Sequence, residues 1–206
     1  MERPPDFAPL PFRSPPGEQG TTQEGEDLRY LGQAFGLFLL VQRGEAIYAV
    51  DQHAAHERIL YDQFLSAPIP RQDLLIPYPF GTDSPEEDAF LETQKEALAS
   101  LGIIVSRDPP DRWLIEALPS AWKTGDEETA KAILQLRQAG NNMAESWAAT
   151  LACRSAVMDG AVLDRDSALA IAEKAFRLPE PRCPHGRPIW LKLELRDLLK
   201  AVRRTE

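Results

Sequence analysis

The stretch LRYLGQAFGLFLLVQRGEAIYAVDQHAAHERIL, residues 28–60, contains the pattern that decides the fold. Its first two thirds are short apolar runs with strand-forming residues, which predict three strands between Arg29 and Val50. The tripeptide RGE at 43–45 favours a tight turn, so the last two strands should form a hairpin. From Gln52 to Leu65 the helix-favouring residues and the apolar spacing predict one helix.

The rest of the chain continues to mix helices and strands. A Pro-rich stretch at 68–80 is typical of a crossing segment, and the residues that follow it have alternating helical and strand patterns. We predict helices at 85–101, 125–138, 141–160 and 164–177, strands at 102–108, 112–118 and 188–193, and a closing helix. The fold class predicted from this order is α/β (α+β), with a small lobe around the middle strands.

Composition limits the kind of protein. The chain has 206 residues, of which 43% are apolar, so it can bury a core. Residues 1–26 are rich in Pro, Gly, Gln, Thr and Glu, which predicts a flexible linker. The sequence contains neither a secretion signal nor a membrane-spanning run, and we expect a cytoplasmic, nucleoid-associated location.

The charge balance argues against tight DNA binding by this chain alone. There are 23 basic and 32 acidic residues, a net charge of −9, and a phosphate backbone attracts the opposite composition. If duplex DNA is the substrate, another component must help to deliver it. The two cysteines are too few for a disulfide framework, so both are available as thiols, either as metal ligands or as core residues.

Ligand-type residues are concentrated at the start of the helix that follows the hairpin. His53 and Glu57 are four residues apart and therefore project from one helix face, where they supply an imidazole and a carboxylate, half of a typical divalent metal site. Asp51 lies at the junction of strand and helix, where it either caps the helix or joins the site. We do not expect His56 to bind the same ion as His53. The alternative is a solvated helix start.

A second group of ligand-type residues occurs in CPHGRP, residues 183–188. Cys183 and His185 are two apart and would point to one side of an extended segment, while Gly186 lets the backbone turn. The alternative is a turn with two incidental side chains. Cys153, within ACR, is expected on a buried helix face, where a core cysteine is the commoner explanation.

The motifs DQHAAHERI, ACR and CPHGRP, in this order and with these gaps, resemble the C-terminal domain of MutL-type mismatch-repair proteins that carry a latent endonuclease. The resemblance runs from about Leu28 to Arg204. It implies a two-lobed, dimeric domain that nicks duplex DNA with the help of a metal ion. Residues 27–70 and 141–206 would form the dimerisation and metal-site subdomain, and 71–140 an inserted external regulatory subdomain. The family's N-terminal ATPase region is not in this sequence.

The resemblance also implies roles for individual residues. The catalytic residues would be Asp51, His53 and Glu57; the metal ligands would be His53, Glu57, Cys153, Cys183 and His185; candidate phosphate contacts would be Arg58, Arg154 and Arg187. Thiolates favour zinc, as a structural or regulatory ion, and carboxylates favour Mn²⁺ or Mg²⁺ as the catalytic ion, held by Asp51. Asp62 stands where the family usually has glutamate and would be an accessory acid. The family's C-terminal Phe-x-Arg motif is replaced by Leu199, Lys200 and Ala201.

A short segment, QDLLIP at 72–77, resembles the peptide by which such proteins dock onto the replication sliding clamp. Gln72 would enter a polar notch, and Leu75, Ile76 and Pro77 an apolar groove, which requires an exposed segment. The alternative is a buried strand with Leu74 and Ile76 in the core. The other partners implied are a second copy of the chain, duplex DNA bound weakly, and, through the full-length chain, a mismatch-recognition protein.

The sequence leaves two functions from different classes open, together with a third. The first is a metal-dependent DNA endonuclease that dimerises and docks on the clamp. The second is a dimerisation and clamp-binding module with a structural zinc site and no cutting activity; the third is a zinc-stabilised scaffold. The apolar strands GLFLLVQ, IYAV and PIWLKLEL predict that one sheet face packs on a second copy, although the chain's own helices could cover it instead.

Overall fold

The computed structural model describes residues 28–109, 112–123 and 126–204, so the predicted linker at 1–26 lies outside the described residues. Two antiparallel sheets and several helices confirm the mixed α+β class. The strands are β1 (Leu28–Ala34), β2 (Phe38–Arg43), β3 (Ala46–Asp51), β4 (Arg71–Phe80), β5 (Ile104–Asp108), β6 (Arg112–Pro119) and β7 (Trp190–Glu194). The α-helices are α1 (Gln52–Ser66), α2 (Pro85–Thr93), α3 (Lys95–Ser100), α4 (Asp126–Gln135), α5 (Met143–Ser155), α6 (Arg165–Phe176) and α7 (Leu195–Ala201).

The first sheet has the strand order β1-β2-β3-β7, and all its neighbours are antiparallel. The predicted hairpin is present: β2 pairs with β3 across a turn in which Gly44 has a φ of 56°, a backbone conformation that favours glycine. The other end of this hairpin pairs Phe38 with Asp51, directly before α1. One face of the sheet carries Leu39, Val41 and Val50, which are buried against α1 and α6. The start of α1 is therefore fixed by the sheet.

The second sheet has the order β4-β6-β5 and is covered by a core that contains Trp113, Ile115 and Trp147. Its strand β4 corrects the predicted Pro-rich crossing at 68–80, since residues 71–73 and 78–80 pair with β6. Proline is tolerated there because β4 is an edge strand, where a missing N–H removes no bond to a further strand.

Two predicted helices have different ends in the structure. The single helix predicted at 85–101 is divided at Gln94, where φ is −105°, into α2 and α3. The helix predicted to stop at Gly160 ends at Ser155, because Ala156 is extended, with ψ of 156°. Gly160 belongs to the loop that follows and lies against the β1–β2 turn, where its N–H donates to the Gly36 carbonyl at 2.9 Å. Tertiary contacts with that turn therefore decide how the loop runs.

The two hydrophobic cores lie around the two sheets. The core of the first sheet includes residues of α1 and α6, and that of the second sheet includes residues of α5. Helix α5 packs on α1 as well, so it connects the two cores. The subdomain boundaries given above stay a prediction. None of the described helices combines the length and the hydropathy needed to span a bilayer.

Candidate metal centre

Asp51 ends β3 and caps α1. Its Oδ1 accepts a hydrogen bond from the Ala54 N–H at 2.9 Å, and its own N–H donates to the Ile189 carbonyl at 2.9 Å. Both alternatives considered for Asp51 are compatible with this position, because the residue caps the helix and also lines the cavity described below. The cap sets where the helix begins and therefore which way His53 and Glu57 point.

Gln52 is a buried residue that the sequence did not single out. It is 0% exposed, and its side-chain amide donates to the carbonyls of Gly36 and Ala161 at 3.0 and 3.1 Å, while its oxygen accepts from Gln33 at 2.8 Å. A buried amide must keep its hydrogen bonds, so the Gln52 side chain is stable only where all of these partners surround it. It therefore ties α1 to the β1–β2 turn and to the loop after α5. A glutamine next to ligand-type residues was the only signal in the sequence.

That loop in turn positions both histidines of α1. The Nδ1 atom of His53 lies 2.9 Å from the Val157 carbonyl oxygen, and Nδ1 of His56 accepts from the Val157 N–H at 3.1 Å. A histidine that donates one ring N–H to a carbonyl keeps its other nitrogen, here Nε2, available as a ligand. Burial, and then the nearby Lys174 and His53, lower the pKa of His56, which therefore stays neutral and structural.

The CPHGRP segment forms a compact loop between paired residues. Arg182 and Pro188 form a bridge, the Cys183 N–H donates to the Arg187 carbonyl at 2.9 Å, and the Gly186 N–H donates to the Cys183 carbonyl at 2.8 Å. Gly186 has a φ of 83°, as expected for the turn predicted there. The loop carries its two ligand-type side chains to α1, where His185 Nδ1 lies 3.6 Å from Oε2 of Glu57.

Three stretches that are distant in the sequence converge on Glu57. Ligand atoms of His53, Glu57 and Cys153 lie within 4.8 Å of one another, and so do those of Glu57, Cys183 and His185. The two sets share Glu57 and border a cavity of about 270 Å³. The cavity is lined by Asp51, His53, Ala54, Glu57, Cys153, Asp159, Cys183, His185 and Arg187. His56 belongs to neither set.

The burial and hydrogen bonding of Glu57 indicate whether these residues could hold a metal ion. Its side chain is only 4% exposed, and its Oε1 is buried without a hydrogen-bond partner among the described residues. A buried carboxylate oxygen without a partner is costly unless a cation or a donor satisfies it. Imidazole nitrogens, thiol sulfurs and a carboxylate are the donors that zinc takes. The residues present therefore fit a divalent metal ion.

Cys153 differs from its expected position. The sequence suggested a buried core cysteine, but Cys153 is exposed and its sulfur turns towards Glu57, because the buried face of α5 is formed by Trp147, Leu151 and Ala152. Partial desolvation of the sulfur and then the adjacent Glu57 carboxylate raise the pKa of the Cys153 thiol. A nearby cation would favour the thiolate.

The candidate phosphate contacts fall in different surroundings. Arg187 lines the cavity. Arg154 forms an ion pair with Glu128 at 3.1 Å and lies over the Trp122 ring, 5.1 Å from its centroid. Arg58 pairs with Asp62, the candidate accessory acid, at 2.9 Å. The structure thus leaves Arg187 as the arginine at the cavity.

Comparisons with known proteins show the family of the chain. The model of the MutL C terminal dimerisation domain family matches residues 31–163. The chain is 38% identical over 177 residues to the DNA mismatch repair protein MutL of Treponema pallidum (strain Nichols). The matched region covers 86% of this chain and 28% of that protein. It is 31% identical to MutL of Borreliella afzelii (strain PKo), over 95% of this chain and 32% of the relative. It is 35% identical to a MutL of Thermus thermophilus, over 95% of this chain and 35% of the relative. The chain thus spans about a third of the length of these relatives.

Proposed function

Because the chain belongs to the family of MutL C-terminal dimerisation domains, we propose that it serves DNA mismatch repair as a dimeric, metal-dependent endonuclease that nicks duplex DNA. The observation that carries the nuclease proposal is the buried Glu57, which two ligand sets share and whose Oε1 has no partner among the described residues. A dimerisation module without a metal ion has no need of a buried, incompletely satisfied carboxylate beside two thiols; Asp51 at the same cavity adds the carboxylate that a catalytic ion would need.

Seven of the residues that line the cavity have a part in this proposal. Cys183, His185 and Cys153 supply soft donors suited to zinc, and Asp51 supplies a carboxylate suited to Mn²⁺ or Mg²⁺, with His53 and Glu57 between them. Bound ions would supply charge stabilisation at the phosphate and a lower pKa for a water molecule. The Val157 carbonyl orients the His53 ring, and the helix cap holds Asp51 at the cavity wall. Arg187, which lines the cavity, would contact a phosphate oxygen.

Docking on a sliding clamp is supported by the shape of β4. The β4–β6 ladder is interrupted between Asp73 and Tyr78, so the residues between them bulge outwards. Leu75 and Ile76 are 98% and 80% exposed, whereas Leu74 packs against the core. Isolated exposed leucines are common, but two adjacent, almost fully exposed aliphatic side chains on an edge strand mark an interaction site. This exposure favours docking over the alternative of a buried strand with Ile76 in the core.

A clamp would also compensate for the weak attraction between this acidic chain and DNA. The chain carries a net charge of −9, so it attracts duplex DNA poorly. A clamp that encircles DNA would raise the local concentration of duplex near the cavity without requiring a basic surface.

The dimer interface is proposed on the outer face of the first sheet. Side chains alternate between the faces of a strand, so Leu39 and Val41 point to the helices, while Ile47, Leu191 and Leu193 point away. Leu191 is 61% exposed and Leu193 is 38% exposed. The neighbouring α7 adds Leu195 and Leu198, 45% and 37% exposed. A continuous apolar surface of this kind is suited to a second copy of the chain.

The decisive experiment measures nicking of supercoiled plasmid in Mn²⁺ by the unchanged chain and by Asp51→Asn. Asparagine is as good a helix cap as aspartate, so α1 should be preserved. The rate is expected to fall by about 100-fold or more, since a metal ion's charge stabilisation is worth several kcal/mol. The matched control is Asp164→Asn, which changes the cap of α6, where Asp164 accepts from the Ser167 N–H at 2.9 Å, and should leave nicking unchanged.

The same assay separates the two classes of function. Equal nicking by the unchanged chain and Asp51→Asn would remove Asp51 from the mechanism. If neither chain nicks DNA, the assay is repeated with the sliding clamp present. Inactivity there as well, together with bound zinc, would favour the dimerisation and clamp-binding module without a nuclease.

A further inference from the structure

Arg58 has two kinds of partner. Its Nε donates to both carboxylate oxygens of Asp62, at 2.9 and 3.0 Å, and its NH1 donates to the backbone carbonyl of Arg182 at 3.1 Å. The side chain is only 17% exposed. Asp62 lies one turn further along α1, so it fixes the guanidinium in a single orientation. The charged group is therefore neutralised and directed at the backbone of a neighbouring segment.

The carbonyl that Arg58 contacts belongs to the residue directly before Cys183. The exit side of this loop is attached to the start of α1 by the bond from the Asp51 N–H to the Ile189 carbonyl, at 2.9 Å. Arg58 attaches the entry side to the same helix. Within the loop, the Arg182 guanidinium donates to the Gly186 carbonyl at 2.8 Å, so the entry residue is also bonded across the loop. Holding both ends of it on α1 fixes where its two ligand side chains stand.

The helix position next to Arg58 is Glu57, the carboxylate shared by both ligand sets. We infer that Arg58 and Asp62 form a positioning pair that holds Cys183 and His185 over Glu57 and thereby sets the affinity of that ligand set for a soft divalent cation. This inference rests on the proposed metal centre. It assigns Arg58 and Asp62 to the support of the ligands rather than to phosphate binding or acid catalysis, because each already neutralises the other.

The positioning pair should act on one ligand set and spare the other. The set of His53, Glu57 and Cys153 is held by α1, α5 and the Val157 carbonyl, and the bond from Arg58 to the Arg182 carbonyl is not one of these supports. Loss of the positioning pair should weaken only the set with Cys183. A general loss of stability would weaken both sets alike.

The test uses Co²⁺ as the probe, because a thiolate bound to Co²⁺ has a charge-transfer absorption band in the near ultraviolet, where zinc thiolates do not absorb. The two cysteines allow each set to be read separately. In a Cys153→Ser chain the band reports Cys183, and in a Cys183→Ser chain it reports Cys153. Co²⁺ affinity is titrated against a competing chelator in each background, with and without Arg58→Ala.

In the Cys153→Ser background, Arg58→Ala is expected to reduce Co²⁺ affinity by about 10-fold to 100-fold, the usual effect of removing a group that orients a ligand. In the Cys183→Ser background, Arg58→Ala should leave Co²⁺ affinity unchanged. Arg58→Lys should recover part of the loss, since an ammonium group reaches one partner but lacks the guanidinium fork. The matched control is Arg112→Ala, which breaks another Arg–Asp pair, with Asp108 at 2.9 Å, on the other sheet.

Each outcome decides a separate point. Unchanged affinity in the Cys153→Ser background, or an equal loss in both backgrounds, would overturn the role of the positioning pair and leave the proposed metal centre standing. If neither cysteine gives a band in chains with Arg58 intact, the metal centre fails and the positioning pair with it. Thermal unfolding of the metal-free chains checks the fold; should Arg58→Ala not fold, Arg58→Lys and Asp62→Asn carry the same comparison.

Discussion

Glu57 shows how much one residue of this chain depends on its surroundings. It is buried, its Oε2 lies 3.6 Å from His185 Nδ1, and its Oε1 lacks a partner among the described residues. On a solvated helix face it would be one more surface charge. In the proposed metal centre its buried position would favour a bound cation, because a buried anion without a counter-charge is costly.

Asp88 is a carboxylate with a different role, since it holds a buried tryptophan. Its Oδ1 accepts from the Trp113 Nε1–H at 2.7 Å and from the Thr82 hydroxyl at 2.9 Å. The Trp113 hydrogen bond, then the Thr82 hydrogen bond and the nearby Arg107, hold the pKa of Asp88 below its usual value. Ionised Asp88 therefore stabilises the fold above the pKa of the unfolded chain, about 3.9, and this contribution is lost as the pH falls through the lower folded-state pKa.

We predict that Asp88→Asn lowers the free energy of unfolding at neutral pH, because an amide oxygen accepts the Trp113 bond more weakly than a carboxylate. The difference from the unchanged chain should shrink as the pH falls below the usual aspartate pKa of about 3.9, because Asp88 itself then becomes protonated. Urea unfolding over this pH range measures the effect. Asp73→Asn, at an exposed position, is the control, and a deficit that does not vary with pH would contradict the prediction.

At the scale of elements, β4 combines a structural and an exposed part. Its ends pair with β6, and the interruption between Asp73 and Tyr78 pushes the intervening residues outwards. Leu74 packs against the core and fixes the bulge there, so the exposed Leu75 and Ile76 are held in place by their neighbour. An edge strand with a bulge resists pairing with other strands and still presents side chains to a partner.

We predict that Leu75→Ala weakens binding to a purified sliding clamp by about 10-fold or more, since burial of one leucine side chain contributes about 1.5 to 3 kcal/mol. The melting temperature should not change, because Leu75 is 98% exposed. Fluorescence anisotropy of the labelled chain with the clamp measures the affinity. Val162→Ala, another exposed aliphatic position at 87%, should bind normally, and equal binding by Leu75→Ala would rule out docking through this bulge.

For the whole molecule, the outer face of the first sheet favours dimerisation, and the net charge of −9 favours a partner that brings DNA to the chain. The cores described above cover one face of that sheet, while Leu191 and Leu195 remain 61% and 45% exposed on the other. A stable dimer buries about 1,600 Å² in total, which a sheet face with an adjoining helix can supply. Dimerisation would pair two cavities in one assembly, and clamp docking would keep both near DNA.

We predict that Leu191→Glu raises the dimer dissociation constant by about 100-fold or more, because it places an unpaired carboxylate within an apolar interface. Sedimentation velocity at micromolar concentration measures the monomer fraction. Leu75→Glu makes the same substitution on the other sheet and should sediment as the unchanged chain does. A Leu191→Glu chain that remains dimeric would place the interface elsewhere.

Local features of the chain were predictable because they depend on neighbouring residues. The hairpin between β2 and β3 and the helix from Gln52 follow from turn chemistry and apolar spacing. The helix predicted at 164–177 is present as α6, and its cap Asp164 is a local feature as well, since short polar side chains favour that position. The strand β4 was not predictable, because Pro77 and Pro79 argue against a strand until its place at an edge is known.

By itself, then, the sequence determined the α+β class, the family and the chemical types of the candidate ligands. Only the tertiary structure decided that both ligand sets share Glu57, that Cys153 faces the cavity instead of the core, and that Arg58 is directed at the loop before Cys183. The reason is that periodicity reports which side of its own element a residue occupies. What lies opposite that side is set by packing between elements distant in the chain.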